Sequence, residues 1–346
     1  MSFPAITLAI PVYNAEAFVE QSLRSALDQD FEQPYEVLVV DDCGTDKSME
    51  VVHHVMEQHP RRNLVRTIRH PQNLGLGAAR NTAIDQAHGK YLFFLDADDW
   101  LTIDCLSHLY ALAEHHQSDV TAGSTKQYQH GEILPRYSLC DKIVAHEAAG
   151  VWMVVHDIFM NIEMWNKLFR LDFLRQHHIQ TVHRIMEDSV FDFQVRALAR
   201  SIVLTSHITH FYNIHENSIL GNLIGHQATD EAVSTYCDII HQVQQLITLH
   251  YLDIDGIYDV YALRLFYTFH SLKRMQLNDA QEKYVKESLQ GFLDFIPSMH
   301  CLHQGAFRMA WLACRLKGGD WRAFEHAYNN RYSRQAYYLK RLLQCI

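Results

Sequence analysis

The chain predicts an α/β protein: a doubly wound, mostly parallel sheet followed by a smaller all-helical domain. Three observations predict it. Three strand-then-helix units precede residue 95. The run Tyr91-Leu92-Phe93-Phe94-Leu95 is apolar without alternation, as in a strand buried on both faces of a parallel sheet. Beyond Gly225 apolar residues recur at helical spacing, with few strand signals. Successive β-α units join through right-handed crossovers, which gives the doubly wound arrangement.

Ile6–Ile10 reads as the first strand, running through Pro11-Val12-Tyr13-Asn14 into a loop. A helix follows from about Glu16 to Leu27, with Phe18, Leu23, Ala26 and Leu27 facing inward. Tyr35–Val40 is the second strand and closes on Asp41-Asp42; Cys43-Gly44-Thr45-Asp46 turns the chain into a helix from Ser48 to about Gln58. Leu64–Ile68 is the third strand, and a helix from about Gly77 to Ala87 returns to the central strand. That strand ends in Asp96-Ala97-Asp98-Asp99. Open α/β sheets place ligands at the carboxyl ends of central strands. Carboxylates this close repel one another unless something positive lies between them. A divalent cation bridging to a phosphate-bearing ligand is the simplest such partner. The blander alternative is a turn whose acids cap a helix starting near Ile103, although Thr102 already offers that cap.

Gly75-Leu76-Gly77-Ala78-Ala79-Arg80 begins like a dinucleotide fingerprint, but Arg80 takes the third glycine position and the motif follows the third strand rather than the first. An arginine there could instead reach a nucleobase carbonyl or a phosphate. The net charge of −10 argues against a general nucleic-acid binder. Seven scattered cysteines without a C-x-x-C pair suit a reducing cytoplasm, and no apolar run reaches the length of a bilayer span. The first residues run straight into a strand without a basic leader, so a cytoplasmic location is expected.

Pro11-Val12-Tyr13-Asn14, Val39-Val40-Asp41-Asp42-Cys43-Gly44-Thr45-Asp46, the Asn73, Gly75, Arg80, Asn81 series and Asp96-Ala97-Asp98-Asp99 together resemble the signature motifs of family 2 glycosyltransferases, over roughly residues 5–220. The resemblance implies a GT-A fold, a nucleotide-sugar donor and inversion at the anomeric carbon. Cys43-Gly44 stands where the family usually has Gly-Ser. By similarity, Asp42 should accept the N–H of a uracil ring and Arg80 should donate to a uracil carbonyl, with Pro11 and Tyr13 walling the base; the donor and acceptor chemistry of both side chains suits those tasks. The resemblance gives Asp96 to the ribose or the outer shell of a metal and Asp98 to direct ligation. Read as an extended segment, the Asp96-x-Asp98 spacing puts both side chains on one face. An oxygen-ligand set with diphosphate suits Mg²⁺ or Mn²⁺.

Met164-Trp165-Asn166-Lys167-Leu168-Phe169-Arg170 resembles the family's acceptor-side segment, or alternatively a helix packed on the sheet. Glu187-Asp188 opens a helix, where the dipole favours acids whatever their function. The family places its general base in this pair, which implies Asp188 as the base and Glu187 as its neighbour. Residues 207–219 resemble a closing loop in which Ser218 contacts the diphosphate; Asn213 stands where an arginine is common, and His210 or His215 offers a further donor-site contact. A dedicated zinc site is the rival reading of these histidines.

The expected domains are residues 1–222, catalytic, and 223–346, helical, with helices at 231–249, 257–275, 280–295, 305–316 and 321–345. Residues 301–346 carry eight basic residues against two acids, interleaved with tyrosines. That pattern fits a peripheral contact with an anionic membrane surface, or docking on the acidic catalytic domain or on a second subunit of a homo-oligomer. The function expected is transfer of a sugar from a nucleotide-sugar donor, UDP-linked, to a hydroxyl of a polysaccharide or glycolipid of the cell envelope. The alternatives are a non-catalytic nucleotide-sugar-binding scaffold of a polysaccharide-assembly complex, which would have no use for Asp188, and a sugar nucleotidyltransferase, which would want a glycine-rich basic loop in place of Pro11–Asn14.

Overall fold

A computed structural model describes residues 3–156, 158–181, 187–215, 228–273 and 275–295. The chain divides into two compact units, the first comprising Met1–Ala149 with Met160–Ile214, the second Gly150–Phe159 with His215–Ile346. The expected boundary between residues 222 and 223 lies outside the described residues.

The first unit is built on one ten-stranded sheet. Its strands are β1 (Ile6–Val12), β2 (Tyr35–Asp41), β3 (Val65–Arg69), β4 (Tyr91–Phe94), β5 (Trp100–Leu101), β6 (Val120–Gln129), β7 (Glu132–Tyr137), β8 (Lys142–Ala145), β9 (Lys167–Arg170) and β10 (Ser201–Asn213). The spatial order is β3-β2-β1-β4-β9-β6-β10-β5, with β7 added to β6 and β8 to β10. The first four strands are parallel, as three successive β-α units require. Beyond them directions mix: β9 runs antiparallel to both β4 and β6, while β10 is parallel to β6.

Every residue of β1 and β4 is buried, so the unalternating apolar runs reflect coverage on both faces. The helices that cover them are α1 (Val19–Leu27), α2 (Ser48–Gln58), α3 (Leu76–Gln86) and α4 (Cys105–His116). α1 buries Val19, Leu23, Ala26 and Leu27; Phe18 precedes the helix and is only partly buried, so Val19 takes the inward place expected of it. Thr102 does not cap α4 with its side chain. Its hydroxyl donates to Ile208 O (3.4 Å), and the helix starts three residues later. The 164–170 segment is not a helix: it bends through 164–166 and enters the strand β9 at Lys167. It leads into α6 (Leu171–Gln176), which follows the short α5 (Ala149–Val155), and α7 (Asp188–Leu198) comes next.

In the second unit, α8 (Asp230–Leu246), α9 (Ile257–Lys273) and α10 (Asp279–Asp294) show the helical spacing read from the sequence. Thr229 Oγ1 caps α8 by accepting the Ala232 N–H at 3.1 Å. The buried Tyr261 hydroxyl accepts from Gln244 Nε2 (2.8 Å) and donates to Phe292 O (3.0 Å), tying the three helices together. The helices expected at 305–316 and 321–345 lie outside the described residues. No helix among the described residues is long and apolar enough to cross a membrane.

Candidate active site

The register of the parallel strands aligns their carboxyl ends. Val12 pairs with Asp41 across β1 and β2, and Ala9 with Phe94 across β1 and β4. Pro11 is therefore buried at the end of one strand, the half-exposed Tyr13 lies just past it, and the acids after β2 and β4 emerge along the same edge.

Asp42 is buried and densely bonded. Its Oδ1 accepts the Leu74 N–H (2.9 Å) and lies 2.7 Å from His70 Nδ1, and its Oδ2 accepts the Gly75 N–H (2.8 Å). Gly75 has φ +94°, a left-handed conformation that a side chain would strain and that turns its N–H toward the carboxylate. On its other side, His70 Nε2 is 2.8 Å from Thr82 Oγ1 on α3. His70 and Thr82 had no local motif to reveal them.

Arg80 occupies the centre of the acidic region. It projects from α3, is 1% exposed, and passes beside the Phe94 ring at 5.9 Å. Its Nη2 donates to Asp96 Oδ1 at 2.7 Å; its Nη1 donates to Asp188 Oδ1 at 2.9 Å and to Glu187 Oε1. Burial would lower the guanidinium's pKa, but the three surrounding carboxylates carry it upward instead. Arg80, expected to face a uracil carbonyl, directs both terminal nitrogens to carboxylates, while its Nε has no hydrogen bond among the described residues.

Asp96, Asp98 and Asp99 do not lie on an extended segment. Residues 96–99 form a turn, with the Asp99 N–H donating to Asp96 O at 3.1 Å. The turn gathers one ligand oxygen from each of the three within 4.8 Å, bringing in Asp99 as well as the expected Asp96 and Asp98. Burial raises the pKa of Asp96, and burial together with Asp98 and Asp96 raises that of Asp99 well above the carboxylate range. Asp99 Oδ1 accepts the Asn213 N–H (2.8 Å), and the buried Oδ2 lies 3.1 Å from His210 Nε2. This excess of carboxylate oxygen is the donor set that Mg²⁺ or Mn²⁺ takes, so the residues fit the expected ion.

His210 is fully buried, with Nε2 3.1 Å from Asp99 Oδ2 and its ring stacked on Trp165 at 4.7 Å. Burial, then the nearby Arg136 and Lys167, lower its pKa to about 3. A neutral histidine at the back of the acid turn supports Asp99 and Trp165. Ser218 lies outside the described residues; His215, just past β10, is the last residue described before that gap.

The 164–170 segment is braced by Asn166, which has φ +57°. Its amide donates to Gly123 O (2.8 Å), Ser124 O (3.1 Å) and Thr125 Oγ1 (2.9 Å), and its Oδ1 accepts from Thr209 Oγ1 at 2.6 Å. Next to it, the Lys167 ammonium is buried and donates to Glu163 O; burial lowers its pKa to about 8 against the pull of Glu163, Asp192 and Asp188. Asp188 Oδ1 also accepts the Met164 N–H at 3.0 Å, which connects this segment to the Arg80 cluster. Burial raises the pKa of Glu187, and raises that of Asp188 well above the ordinary range although Arg80 pulls it down.

The family profile described as Glycosyl transferase family 2 matches residues 7–191, which include Asp42, Asp96, Asp98, Asp99, Glu187 and Asp188. The chain belongs to glycosyl transferase family 2. This family 2 member is 29% identical over 210 residues to the poly(ribitol-phosphate) beta-glucosyltransferase of Bacillus spizizenii, covering 60% of the chain and 32% of that protein. It is 27% identical over 209 residues to the poly(ribitol-phosphate) beta-N-acetylglucosaminyltransferase TarS of Staphylococcus aureus, covering 60% of the chain and 35% of TarS. The chain thus matches about a third of the length of these curated relatives. Among solved structures, S. aureus TarS 1-349 in complex with UDP-GlcNAc superposes with a TM-score of 0.72 at 22% identity, covering 95% of this chain and 93% of that one. At that identity the likeness shows the fold, which is GT-A.

Proposed function

We propose that this chain is an inverting glycosyltransferase that moves a sugar from a UDP-linked donor to a hydroxyl of a polysaccharide or glycolipid acceptor. One observation carries the reading: Arg80 gathers Asp96, Glu187 and Asp188 into one cluster beside the oxygen set of Asp96, Asp98 and Asp99, at the sheet edge where α/β folds receive ligands. The named TarS complex with UDP-GlcNAc, and the poly(ribitol-phosphate) acceptors in the relatives' names, favour a uridine donor and a cell-envelope acceptor.

On this reading residues 1–222 are catalytic and 223–346 form the helical domain. Pro11 and Tyr13 wall the base, and Asp42 reads its N–H. Asp96, Asp98 and Asp99 would hold Mg²⁺ or Mn²⁺, which would supply positive charge to the departing diphosphate. Asp188 takes the acceptor hydroxyl's proton as its oxygen bonds to the anomeric carbon and the bond to the diphosphate breaks. A single displacement of this kind inverts the centre. The raised pKa makes Asp188 a stronger base than an exposed carboxylate once it is ionised. Ser218 is a diphosphate contact, and the basic 301–346 tail a peripheral membrane contact, on the same proposal.

The test is calorimetric titration with UDP, GDP and ADP, with and without Mn²⁺, followed by UDP-sugar hydrolysis and transfer assays. The reading expects UDP to bind about tenfold tighter or better, since one matched buried hydrogen bond is worth on the order of 1–3 kcal/mol. Equal affinity for the three nucleotides would refute the uridine donor.

A further inference from the structure

Arg80 joins three elements that are remote in sequence: α3, the turn after β4, and the start of α7. Its contacts to Glu187 and Asp188 span 107 and 108 residues, and its contact to Asp96 spans 16. Both hydrogen bonds that Asp188 makes among the described residues go to Oδ1, one from Arg80 Nη1 and one from the Met164 N–H. Two donors on one oxygen leave the other, Oδ2, to receive a proton. The Asp188 side chain is 20% exposed while Arg80 is 1% exposed, so the acid keeps a partial access that its anchor lacks.

We propose that Arg80 is the positioning residue of the transfer base: its guanidinium fixes Oδ1 of Asp188 and Oδ1 of Asp96 at once, so that the donor-side acid and the base keep one spacing and Oδ2 of Asp188 points to the incoming hydroxyl. The inference rests on the transferase reading above, and the nucleobase contact expected of this arginine is the competing role the experiment separates from it. A guanidinium suits the task because its planar fork presents separate N–H groups at fixed angles; a lysine ammonium brings the charge without the fork.

The experiment compares wild type with Arg80→Gln, Arg80→Lys, Asp188→Asn and the double variant Arg80→Gln/Asp188→Asn. UDP affinity is read by calorimetry, turnover by hydrolysis of a UDP-sugar with water as acceptor, and stability by urea denaturation. In that assay water gives its proton to Asp188 as its oxygen replaces the diphosphate on the anomeric carbon. Arg80→Gln is expected to lower kcat about 100-fold with a smaller loss of UDP affinity, since Asp96 of the metal set loses its partner as well, and Arg80→Lys to recover part of both losses. The double variant should be scarcely slower than Asp188→Asn, because residues acting as one unit are not additive. Its urea midpoint should lie above that of Arg80→Gln, since Asp188→Asn removes one of the acids left uncompensated.

A tenfold loss of UDP affinity with kcat unchanged would return Arg80 to the nucleobase and overturn the proposal, as would multiplicative effects on kcat. Should Arg80→Gln fail to fold, Arg80→Lys carries the kcat comparison. A wild type that binds UDP but transfers to no acceptor, water included, refutes the transferase reading alone. The urea midpoints still report whether Arg80 holds Asp188, and midpoints that shift independently overturn that contact.

Discussion

His70 Nδ1 lies 2.7 Å from Asp42 Oδ1, and both side chains are buried. Asp42 is the carboxylate to which the proposed donor site gives the base, and His70 stands behind it, reaching Thr82 on α3 with its other nitrogen. On the proposed reading, nucleotide recognition at this edge would extend from a strand end through a histidine to a helix.

Replacing His70 with Phe should weaken UDP binding about tenfold, because a buried carboxylate that loses one partner keeps its desolvation penalty, on the order of 1–3 kcal/mol. Turnover at saturating donor should change less. Calorimetry with UDP checks the first and saturation kinetics the second; unchanged affinity would show that Leu74 and Gly75 alone hold Asp42.

Metal and base should separate cleanly by mutation. Asp98→Ala is expected to weaken UDP binding and to abolish the gain from added Mn²⁺. Asp188→Asn should leave donor binding nearly intact and reduce turnover roughly 10²–10⁴-fold. If Asp188→Asn turns over at the wild-type rate, Glu187 becomes the base to test.

The turnover should also titrate. Burial first, with Glu187 among the neighbours, raises the Asp188 pKa well above its ordinary value, and only the ionised form accepts a proton. The rate at saturating donor should thus fall as pH is lowered, with a midpoint above the ordinary carboxylate range near 4. A midpoint at or below that range would place the base in a more solvated position.

His210 predicts an opposite kind of acid sensitivity, one of stability. Its pKa falls from 6.5 to about 3 on burial, so the folded state excludes a proton that the unfolded chain takes up. The stability this contributes is fully present above about pH 6.5 and is lost as pH falls toward 3, with a slope of up to roughly 1.4 kcal/mol per pH unit. The raised carboxylates of Asp99 and Asp188 act the other way, favouring the fold at low pH, so the comparison must be differential. His210→Phe keeps a ring against Trp165 and should flatten the dependence between pH 6.5 and 3 in urea melts relative to wild type.

The sequence revealed most where structure is local. β1, β2 and α2 were legible from apolar runs and turn residues within one segment, and so were the acids that end the strands. Asp99 was visible as a third carboxylate, but the turn that brings it to Asp96 and Asp98 was not, since alternation in an extended strand predicts the other arrangement. The 164–170 segment stayed ambiguous because a short apolar run suits either a buried strand or a helix. The acid cluster around Arg80 has no local signature, because its partners Glu187 and Asp188 stand more than a hundred residues away. His70 with Asp42, 28 residues apart, escaped for the same reason.

The antiparallel β9 has a consequence for biosynthesis. β4 and β6 do not pair with each other; β9 alone is hydrogen-bonded to both. A nascent chain can pair β1 to β4 once Phe94 has emerged, but the outer edge of β4, with its exposed backbone and flanking Leu92 and Phe93, waits for residue 170. At a synthesis rate of about 5–20 residues per second, that interval is roughly four to fifteen seconds. An unpaired apolar edge of this kind is a template for pairing with another chain. Mutations that weaken β9 should therefore reduce the yield of soluble protein during expression more than they reduce the stability of molecules already folded.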